Sequence, residues 1–147
     1  MGIRDIHPDG HLLENRYRII RGLGGDFGMV YLAEDEQDKR QVAIKQLPEQ
    51  MIVNCEWQAD MRPLLLHPAI PRIYEYFTET EYAYLVSEYI PGKNLEEMLD
   101  ETKGFLAEER VMRWAIELCE VLTYLHTHPT FPMVFRDIKP NNLVLDE

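Results

Sequence analysis

The side chains near the end of the sequence that could do chemistry together are Asp137, Lys139 and Asn142. A carboxylate can orient a hydroxyl nucleophile and accept its proton, and an amide oxygen can bind a hard cation that is carried by phosphates. The alternative interpretation is a polar turn between a helix and a short strand, with Asp137 and Asn142 as turn residues. A motif this short can be interpreted only together with the elements that surround it.

The segment that contains them, Phe135-Arg136-Asp137-Ile138-Lys139-Pro140-Asn141-Asn142-Leu143, resembles the catalytic loop of protein kinases, H-R-D-x-x-x-x-N. The resemblance implies that Asp137 is the catalytic base, Lys139 a phosphate contact and Asn142 a metal ligand. Lys139-Pro140 is the form that this loop takes in kinases acting on serine and threonine. Phe135 replaces the usual His, a change we interpret as tolerated. Arg136 resembles kinases that are activated by phosphorylation of a later loop.

The composition is typical of a globular protein and excludes several functional classes. Of 147 residues, 46% are hydrophobic and 28% charged, and the formal net charge is -11. The chain therefore lacks the basic excess that nucleic acid or an anionic membrane requires. No apolar run approaches the roughly 18 residues of a membrane span, and the N-terminus does not resemble a signal peptide. Cys55 and Cys119 are far apart in the sequence, which favours a reducing environment, so we expect a cytoplasmic protein.

Residues 1–15 are predicted to form a polar lead-in, because Pro8 and Gly10 oppose a helix. His7 and His11 have the spacing of helical metal ligands, but without that helix we expect both to be solvated. We expect the same of the later pair at the end of the long helix, His126 and His128.

Five short strands are predicted from the apolar runs and the turn residues between them. Three of them, at 17–20, 29–33 and 41–45, are expected to form an antiparallel meander. Two more are expected near 71–77 and 82–88, separated by a polar turn.

Glycines cluster between the first two strands, at Gly22, Gly24, Gly25 and Gly28. With Val30 they resemble the loop that covers the phosphates of ATP in kinases, G-x-G-x-x-G-x-V. The resemblance implies that Gly24, Gly25 and Gly28 let backbone N–H groups approach the phosphates. The spacing departs from the family by one residue and Asp26 adds a negative charge, so an ordinary glycine-rich hairpin turn is the alternative.

The next motif, Val42-Ala43-Ile44-Lys45, resembles the V-A-I-K strand of kinases. The resemblance implies that Lys45 pairs with the α- and β-phosphates of ATP, while apolar residues, among them Val30 and Ala43, close over the adenine. Four residues alone would equally suit an edge strand that ends in a solvated lysine. The order of glycine loop, lysine strand and catalytic loop is that of the family.

A helix is predicted between Asn54 and Leu66 from its apolar spacing. In kinases a glutamate of this helix orients the lysine. Counting back from His67-Pro68 places Gln58 at that position, and glutamine can hydrogen-bond the lysine but cannot pair its charge. Pro63 is expected to kink or shorten the helix.

The segment 85–92 resembles the hinge that links the two lobes of a kinase. The resemblance implies that main-chain groups of Glu88 and Ile90 bind adenine, that Ser87 stands behind the adenine, and that Val144 also contacts the nucleotide. The alternative is a strand that runs into a Pro-Gly turn.

Two helices are predicted in the second half. Asn94 and Glu97 resemble a capping box that opens a helix from Leu95 to about Thr102. A longer amphipathic helix follows, and its apolar stripe is predicted to be core: Val111, Trp114, Ala115, Leu118, Leu122 and Leu125.

These features predict an α+β fold of the protein-kinase type, with a small lobe of antiparallel sheet plus one helix and then the first helices and catalytic loop of a large lobe. The predicted boundaries are a lead-in at 1–15, the small lobe at 16–87, the hinge at 88–94 and a partial large lobe at 95–147. The sequence ends one predicted strand, at 143–145, after the catalytic loop and contains no D-F-G triplet. We therefore expect the N-terminal part of a bacterial-type serine/threonine kinase domain.

The predicted function is phosphoryl transfer from ATP, with Mg²⁺, to Ser or Thr of a protein, and this chain alone is expected only to bind ATP. One alternative is a nucleotide-binding pseudokinase or regulatory module, which Gln58, Asp26 and the altered glycine spacing favour. Another is an acidic adaptor without a nucleotide. Apolar surface on the partial lobe is expected to be exposed, which could produce a dimer.

Overall fold

The computed structural model describes residues 7–25, 28–48, 50, 60 and 64–146. The chain divides into two units, Met1–Tyr89 and Ile90–Glu147. Gln58, Asp26 and most of the helix predicted between Asn54 and Leu66 lie outside the described residues. Within the described ranges, no helix is both long enough and apolar enough to cross a membrane.

The first unit contains an antiparallel sheet, and all five predicted strands are confirmed. Its described strands are β1 (Leu12–Leu13), β2 (Tyr17–Gly24), β3 (Val30–Asp35), β4 (Arg40–Pro48), β5 (Ile73–Glu79) and β6 (Tyr82–Glu88). Their order across the sheet is β1-β2-β3-β4-β6-β5. Strand β2 extends through Gly22 and Gly24, which pair with Tyr31 and Val30. The glycine segment between β2 and β3 is therefore shorter than predicted.

One face of this sheet carries the larger of its two buried clusters. In β4, Val42 and Ile44 are fully buried, whereas Ala43 and Lys45 are only partly buried. This two-residue period arises because successive side chains of a strand point to opposite faces. The core cluster is Leu13, Tyr17, Ile19, Tyr31, Ala33, Val42, Ile44, Tyr84 and Val86. Ala43 and Lys45 consequently belong to the other face.

The prediction of a merely polar lead-in is wrong, because its last residues add an edge strand to the sheet. Leu13 is fully buried, and the Gly10 N–H donates to the carbonyl of Ile19 over 2.7 Å. His7 is not simply solvated either. Its ring stacks on His11 with centroids 4.5 Å apart, and its Nε2 lies 2.8 Å from the hydroxyl of Tyr84.

Arg16 joins strands that are distant in the sequence. Its guanidinium makes two hydrogen bonds with the Asp35 carboxylate, from Nε over 2.8 Å and from Nη2 over 2.7 Å. Its Nη1 reaches Glu75 over 3.2 Å, and the hydroxyl of Tyr17 donates to the same carboxylate. The Asp35 side chain is fully buried, and the hydrogen bond from Arg16 lowers its pKa to about 2. This network was not predicted from the sequence.

The second unit contains two helices, both as predicted. They are α1 (Leu95–Glu101) and α2 (Glu108–His126), followed by a 3₁₀ turn at Pro140–Asn142. The capping box is confirmed, since the Glu97 N–H donates to Asn94 Oδ1 and the Asn94 N–H donates to Glu97 Oε2, each over 2.9 Å. These bonds satisfy N–H groups that the first turn of a helix leaves without partners.

Most of the apolar stripe of α2 is not core. Of its six predicted residues only Leu125 is buried, and Val111 is 42% exposed. Met112 and Ile116 on the same helix are also exposed. The expectation of exposed apolar surface is therefore confirmed, and the prediction that the stripe is core is wrong.

His128, which was expected to be solvated, is buried. Its ring packs edge-on against Tyr124, and its Nδ1 accepts the N–H of Phe131 over 3.3 Å. His128 therefore accepts a hydrogen bond from the segment that follows α2 and does not lie in solvent.

Candidate active site

The strand register brings predicted nucleotide contacts of the first unit together on one face. Val30 in β3 lies opposite Lys45 in β4, and Ala43 lies opposite Ser87 in β6. Residues directly opposite each other in an antiparallel pair share a face. Val30, Ala43, Lys45 and Ser87 therefore occupy the face opposite the larger core cluster, a face that also carries the smaller buried cluster of Leu47, Ala83 and Leu85. Within the described residues no hydrogen bond or ion pair engages the Lys45 ammonium, although the side chain is partly buried.

Two glycines beside this face lie where no side chain could be placed. A Cβ on Gly25 would be 2.0 Å from the carbonyl oxygen of Gly28, and a Cβ on Gly28 would be 2.2 Å from that of Gln46. Both distances are far inside contact, and both obstacles are backbone atoms that cannot rotate away. Gly24, by contrast, has a positive φ of 87° with open space around its Cβ position. The backbone is open at Gly24 and closely packed at Gly28. Both features are compatible with a loop in which backbone N–H groups approach phosphate oxygens.

The packing at Gly28 gives a stability prediction. Gly28→Ala is expected to cost about 2 kcal/mol more of the free energy of unfolding than Gly24→Ala, since overpacking adds to the cost of a strained φ. Both variants add one methyl group at a positive φ, so Gly24→Ala is the matched control. Urea denaturation followed on amide resonances of β4 would measure the difference. Equal losses in the two variants would contradict the packing that the structure shows.

At the end of β6, the main-chain N–H of Glu88 is already hydrogen-bonded. The Glu88 N–H donates to the Arg72 carbonyl over 2.7 Å, and the Arg72 N–H donates to Glu88 Oε2 over 3.1 Å. The Glu88 carbonyl accepts none of the turn and loop backbone hydrogen bonds made by the described residues. In the second unit, the Ile90 N–H makes no backbone hydrogen bond to another described residue.

In the second unit, residues of the predicted catalytic loop are hydrogen-bonded to one another. Asn142 Nδ2 donates to both the backbone oxygen and Oδ2 of Asp137, each over 2.8 Å. Lys139 Nζ lies 3.5 Å from the same Oδ2. Pro140 begins the 3₁₀ turn that carries Asn142 back towards Asp137, a position where its fixed φ and missing N–H are tolerated.

This arrangement leaves one side-chain oxygen of Asn142 and one of Asp137 available to a ligand or substrate. Because the Asn142 amide donates through its nitrogen, its Oδ1 is directed away from Asp137 and can act as an oxygen ligand. Asp137 Oδ1 has no hydrogen-bond donor among the described residues, so it can accept a proton from a hydroxyl group. The Asp137 side chain is 56% exposed, which gives an incoming substrate access.

The sequence of residues 17–147 matches the protein kinase domain family. The chain belongs to this family. It is 36% identical to serine/threonine-protein kinase C of Synechocystis sp. over 92% of this chain and 27% of that protein. It is 34% identical to Aurora/IPL1-related protein kinase 2 of Caenorhabditis elegans over 92% of this chain and 46% of that protein. The kinase domain sequence here thus spans about a quarter to a half of the length of these relatives.

The kinase fold is also confirmed by a solved structure. Rad53 residues 1–466 in complex with AMP-PNP superimposes with a TM-score of 0.77 over 90% of this chain and 35% of that chain, at 22% sequence identity. At this identity the likeness supports the fold and not the function of individual residues.

The predicted site residues of this kinase domain fall into two groups. The first unit contains Gly24, Gly25, Gly28, Val30, Ala43, Lys45 and Glu88, and the second contains Ile90, Asp137, Lys139, Asn142 and Val144. The structure brings Val30, Ala43 and Lys45 together, and it joins Asp137, Lys139 and Asn142. Their roles with ATP stay predictions. Sequence reasoning passed over Gly92, whose Pro-Gly pair indicated only a turn.

Proposed function

We propose that this chain binds ATP with Mg²⁺ and serves in the transfer of the γ-phosphoryl group to a Ser or Thr hydroxyl of a protein. The observation that supports it most strongly is the face of β3 and β4, on which partly buried Lys45 stands beside Val30 and Ala43. A lysine held there with no acidic partner among the described residues is suited to bind the α- and β-phosphates. The small side chain of Ala43 leaves space for an adenine ring.

Other residues of the chain would bind the rest of the nucleotide and take part in phosphoryl transfer. The backbone around Gly24, Gly25 and Gly28 would cover the phosphates, and the Glu88 carbonyl and Ile90 N–H would pair with adenine. Asp137 Oδ1 would hold the substrate hydroxyl and accept its proton, with Lys139 contacting the phosphate. Asn142 Oδ1 would be a ligand of the cation, which supplies charge neutralisation at the phosphates. The cation would arrive bound to the phosphates of the nucleotide.

Two observations support Ser or Thr as the acceptor. The sequence carries Lys139-Pro140 after the base, and relatives from Synechocystis and from Nostoc sp., the latter at 36% identity, are named serine/threonine-protein kinases. A cytoplasmic location is proposed as well, because the reaction uses ATP and Cys119 is an exposed free thiol, as a reducing compartment maintains.

Calorimetric titration of the purified chain with Mg-ATP tests the nucleotide part of the proposal. We expect saturable binding with one site, and weaker binding of AMP, which lacks the phosphates that Lys45 would contact. A folded chain that binds neither nucleotide would contradict the proposal and favour the adaptor interpretation.

Phosphoryl transfer is tested separately with radiolabelled ATP and a Ser/Thr-containing protein, comparing the protein with its Asp137→Asn variant. Where transfer occurs, we expect the variant to be slower by about 10²–10⁴-fold, the usual contribution of a general base. Binding of ATP with transfer that is indifferent to Asp137 would favour a regulatory, non-catalytic module.

We also propose that the exposed face of α2 associates with a second copy of this chain. Met112, Ile116 and Ala115 line an open apolar depression on this helix. Exposed apolar patches of this kind promote association. Sedimentation velocity is expected to show a concentration-dependent dimer that Ile116→Glu abolishes, whereas Glu117→Gln on the same helix leaves it unchanged. A monomer at all concentrations would contradict this association.

A further inference from the structure

Gly92, near the start of the second unit, lies against the backbone of the segment that follows the catalytic loop. Its φ is +140°, and a Cβ at this position would be 2.1 Å from the carbonyl oxygen of Leu145 and 3.2 Å from its carbonyl carbon. The same Cβ would lie 3.5 Å from Cγ1 of Val144, which is ordinary contact. A turn alone does not require this closeness. Gly104 in the same unit also has a positive φ, +81°, but open space at its Cβ position.

The close approach of Gly92 coincides with a short backbone pairing. The Leu145 N–H donates to the Lys93 carbonyl over 3.0 Å, and the Leu95 N–H donates to the Leu143 carbonyl over 2.9 Å. These two bonds flank an antiparallel bridge between Asn94 and Val144. The strand predicted at 143–145 is therefore present only as this short backbone pairing with the residues at the start of α1.

The segment that makes this pairing directly follows the predicted catalytic loop. Leu143 directly follows the 3₁₀ turn at Pro140–Asn142, and its N–H donates to the Pro140 carbonyl over 3.3 Å. The last residue of that turn, Asn142, makes the two hydrogen bonds to Asp137. Opposite this pairing, Asn94 is fixed by the capping box of α1. One end of the catalytic loop is thus held by α1 through backbone contacts that need a residue without a side chain at position 92.

We propose that Gly92 is a positioning residue for the catalytic loop. Its missing side chain allows residues 143–145 to pair with residues 93–95. That pairing holds Val144 and the Asn142–Asp137 contact in place. The consequence for ATP rests on the proposed function, since Val144 and Asn142 are among its predicted contacts. The positioning itself does not depend on any nucleotide.

The test compares Gly92→Ala with Gly104→Ala in the 147-residue chain. Both changes add one methyl group at a positive φ, but only the first meets backbone atoms. In Gly92→Ala we expect hydrogen exchange at the Leu95 and Leu145 amides to accelerate about tenfold, together with a displaced side-chain NH₂ resonance of Asn142. In Gly104→Ala both signals are expected to stay as in the unaltered chain. Unchanged exchange and an unchanged Asn142 resonance in Gly92→Ala would overturn the proposal.

A measurement on the unaltered chain decides the case in which Gly92→Ala fails to fold. The Leu95 and Leu145 amides are expected to be protected from exchange relative to the exposed residues of the loop, and rapid exchange at both would overturn the proposal. Mg-ATP titration then separates the positioning role of Gly92 from the proposed binding of ATP. A chain that binds no ATP contradicts the proposed function while the exchange data still decide the positioning. If ATP binds, Gly92→Ala is expected to bind it less tightly than Gly104→Ala, and equal affinity would overturn the link to the nucleotide.

Discussion

Replacing Arg16 by alanine is expected to lower the free energy of unfolding of the first unit by about 3 kcal/mol. The Asp35 carboxylate is fully buried, and Arg16 provides both of its strong hydrogen bonds, at 2.7 and 2.8 Å. Removing the guanidinium leaves the buried carboxylate with only the N–H groups of Gln37 and Asp38 as hydrogen-bond donors, at 3.1 and 3.3 Å, and a buried charge without its partner costs more than the pair itself contributed. Arg40 compensates only in part, because its Nε lies 3.7 Å from Asp35 Oδ2. We therefore expect the low end of the range for broken buried pairs.

Arg18→Ala is the matched control for this prediction. Arg18 also pairs with a carboxylate, Glu36, over 2.6 Å, but its side chain is 47% exposed. Exposed pairs contribute little, so a loss of about 0.5 kcal/mol is expected. Urea denaturation followed on amide resonances of β3 and β4 reports on the first unit alone. A loss in Arg16→Ala no larger than that in Arg18→Ala would contradict the role assigned to the network.

The same pair predicts a specific acid dependence. The hydrogen bond from Arg16 lowers the pKa of Asp35 from 3.8 to about 2 in the folded chain. A carboxyl group whose folded pKa is depressed contributes its stabilisation above the unfolded pKa and loses it as pH falls towards the folded pKa. The contribution, about 2 kcal/mol, is therefore expected to be present above pH 4 and to disappear between pH 4 and 2. Arg16→Ala is expected to flatten this part of the stability curve, and an unchanged slope would assign the acid sensitivity to other carboxylates.

Lys45→Met is expected to weaken Mg-ATP binding by about tenfold to a hundredfold. Hydrogen bonds to charged groups contribute about 1.5–3 kcal/mol, and Met retains the apolar stem of lysine without its charge. The fold is expected to tolerate the change, because no hydrogen bond or ion pair engages the Lys45 ammonium within the described residues. Calorimetric titration, with circular dichroism to verify the fold, measures the effect.

Lys39→Met is the control for the charge change. Lys39 is exposed in the turn before β4, so its replacement removes the same charge from the same unit away from the proposed site. It is expected to leave affinity within about twofold, since a distant exposed charge is largely screened by salt. Equal effects of the two substitutions would mean that net charge, and not a phosphate contact by Lys45, governs binding.

The fold was predicted well where one local signal determined it. Alternating apolar residues located the strands, and Asn94 with Glu97 located the start of α1 to the residue. These signals act over a few neighbouring residues, so the sequence alone reveals them. The catalytic-loop motif is equally local, and in the structure Asn142 donates hydrogen bonds to Asp137, while the roles that the resemblance implies for both residues stay predictions.

The failures have a common physical cause, which is contact between segments far apart in the sequence. Leu13 is buried because β1 pairs with β2, and no periodicity in a two-residue strand could indicate this. The stripe on α2 is periodic enough to predict a core, but periodicity does not show whether another element covers it. Asp35 and Arg16 were unremarkable in the sequence, and only the register of β2 and β3 makes them partners. Gly92 likewise acquires its constraint from Leu145, 53 residues later.

The central claim, that this member of the protein kinase family binds ATP through the predicted residues, is tested most directly by amide resonances recorded during titration with Mg-AMP-PNP. We expect the largest shifts at Gly25, Gly28, Lys45, Glu88 and Ile90, with little change along the exposed face of α2. No shift at these residues, or shifts confined to the apolar depression around Ile116, would contradict the assignment of the nucleotide site.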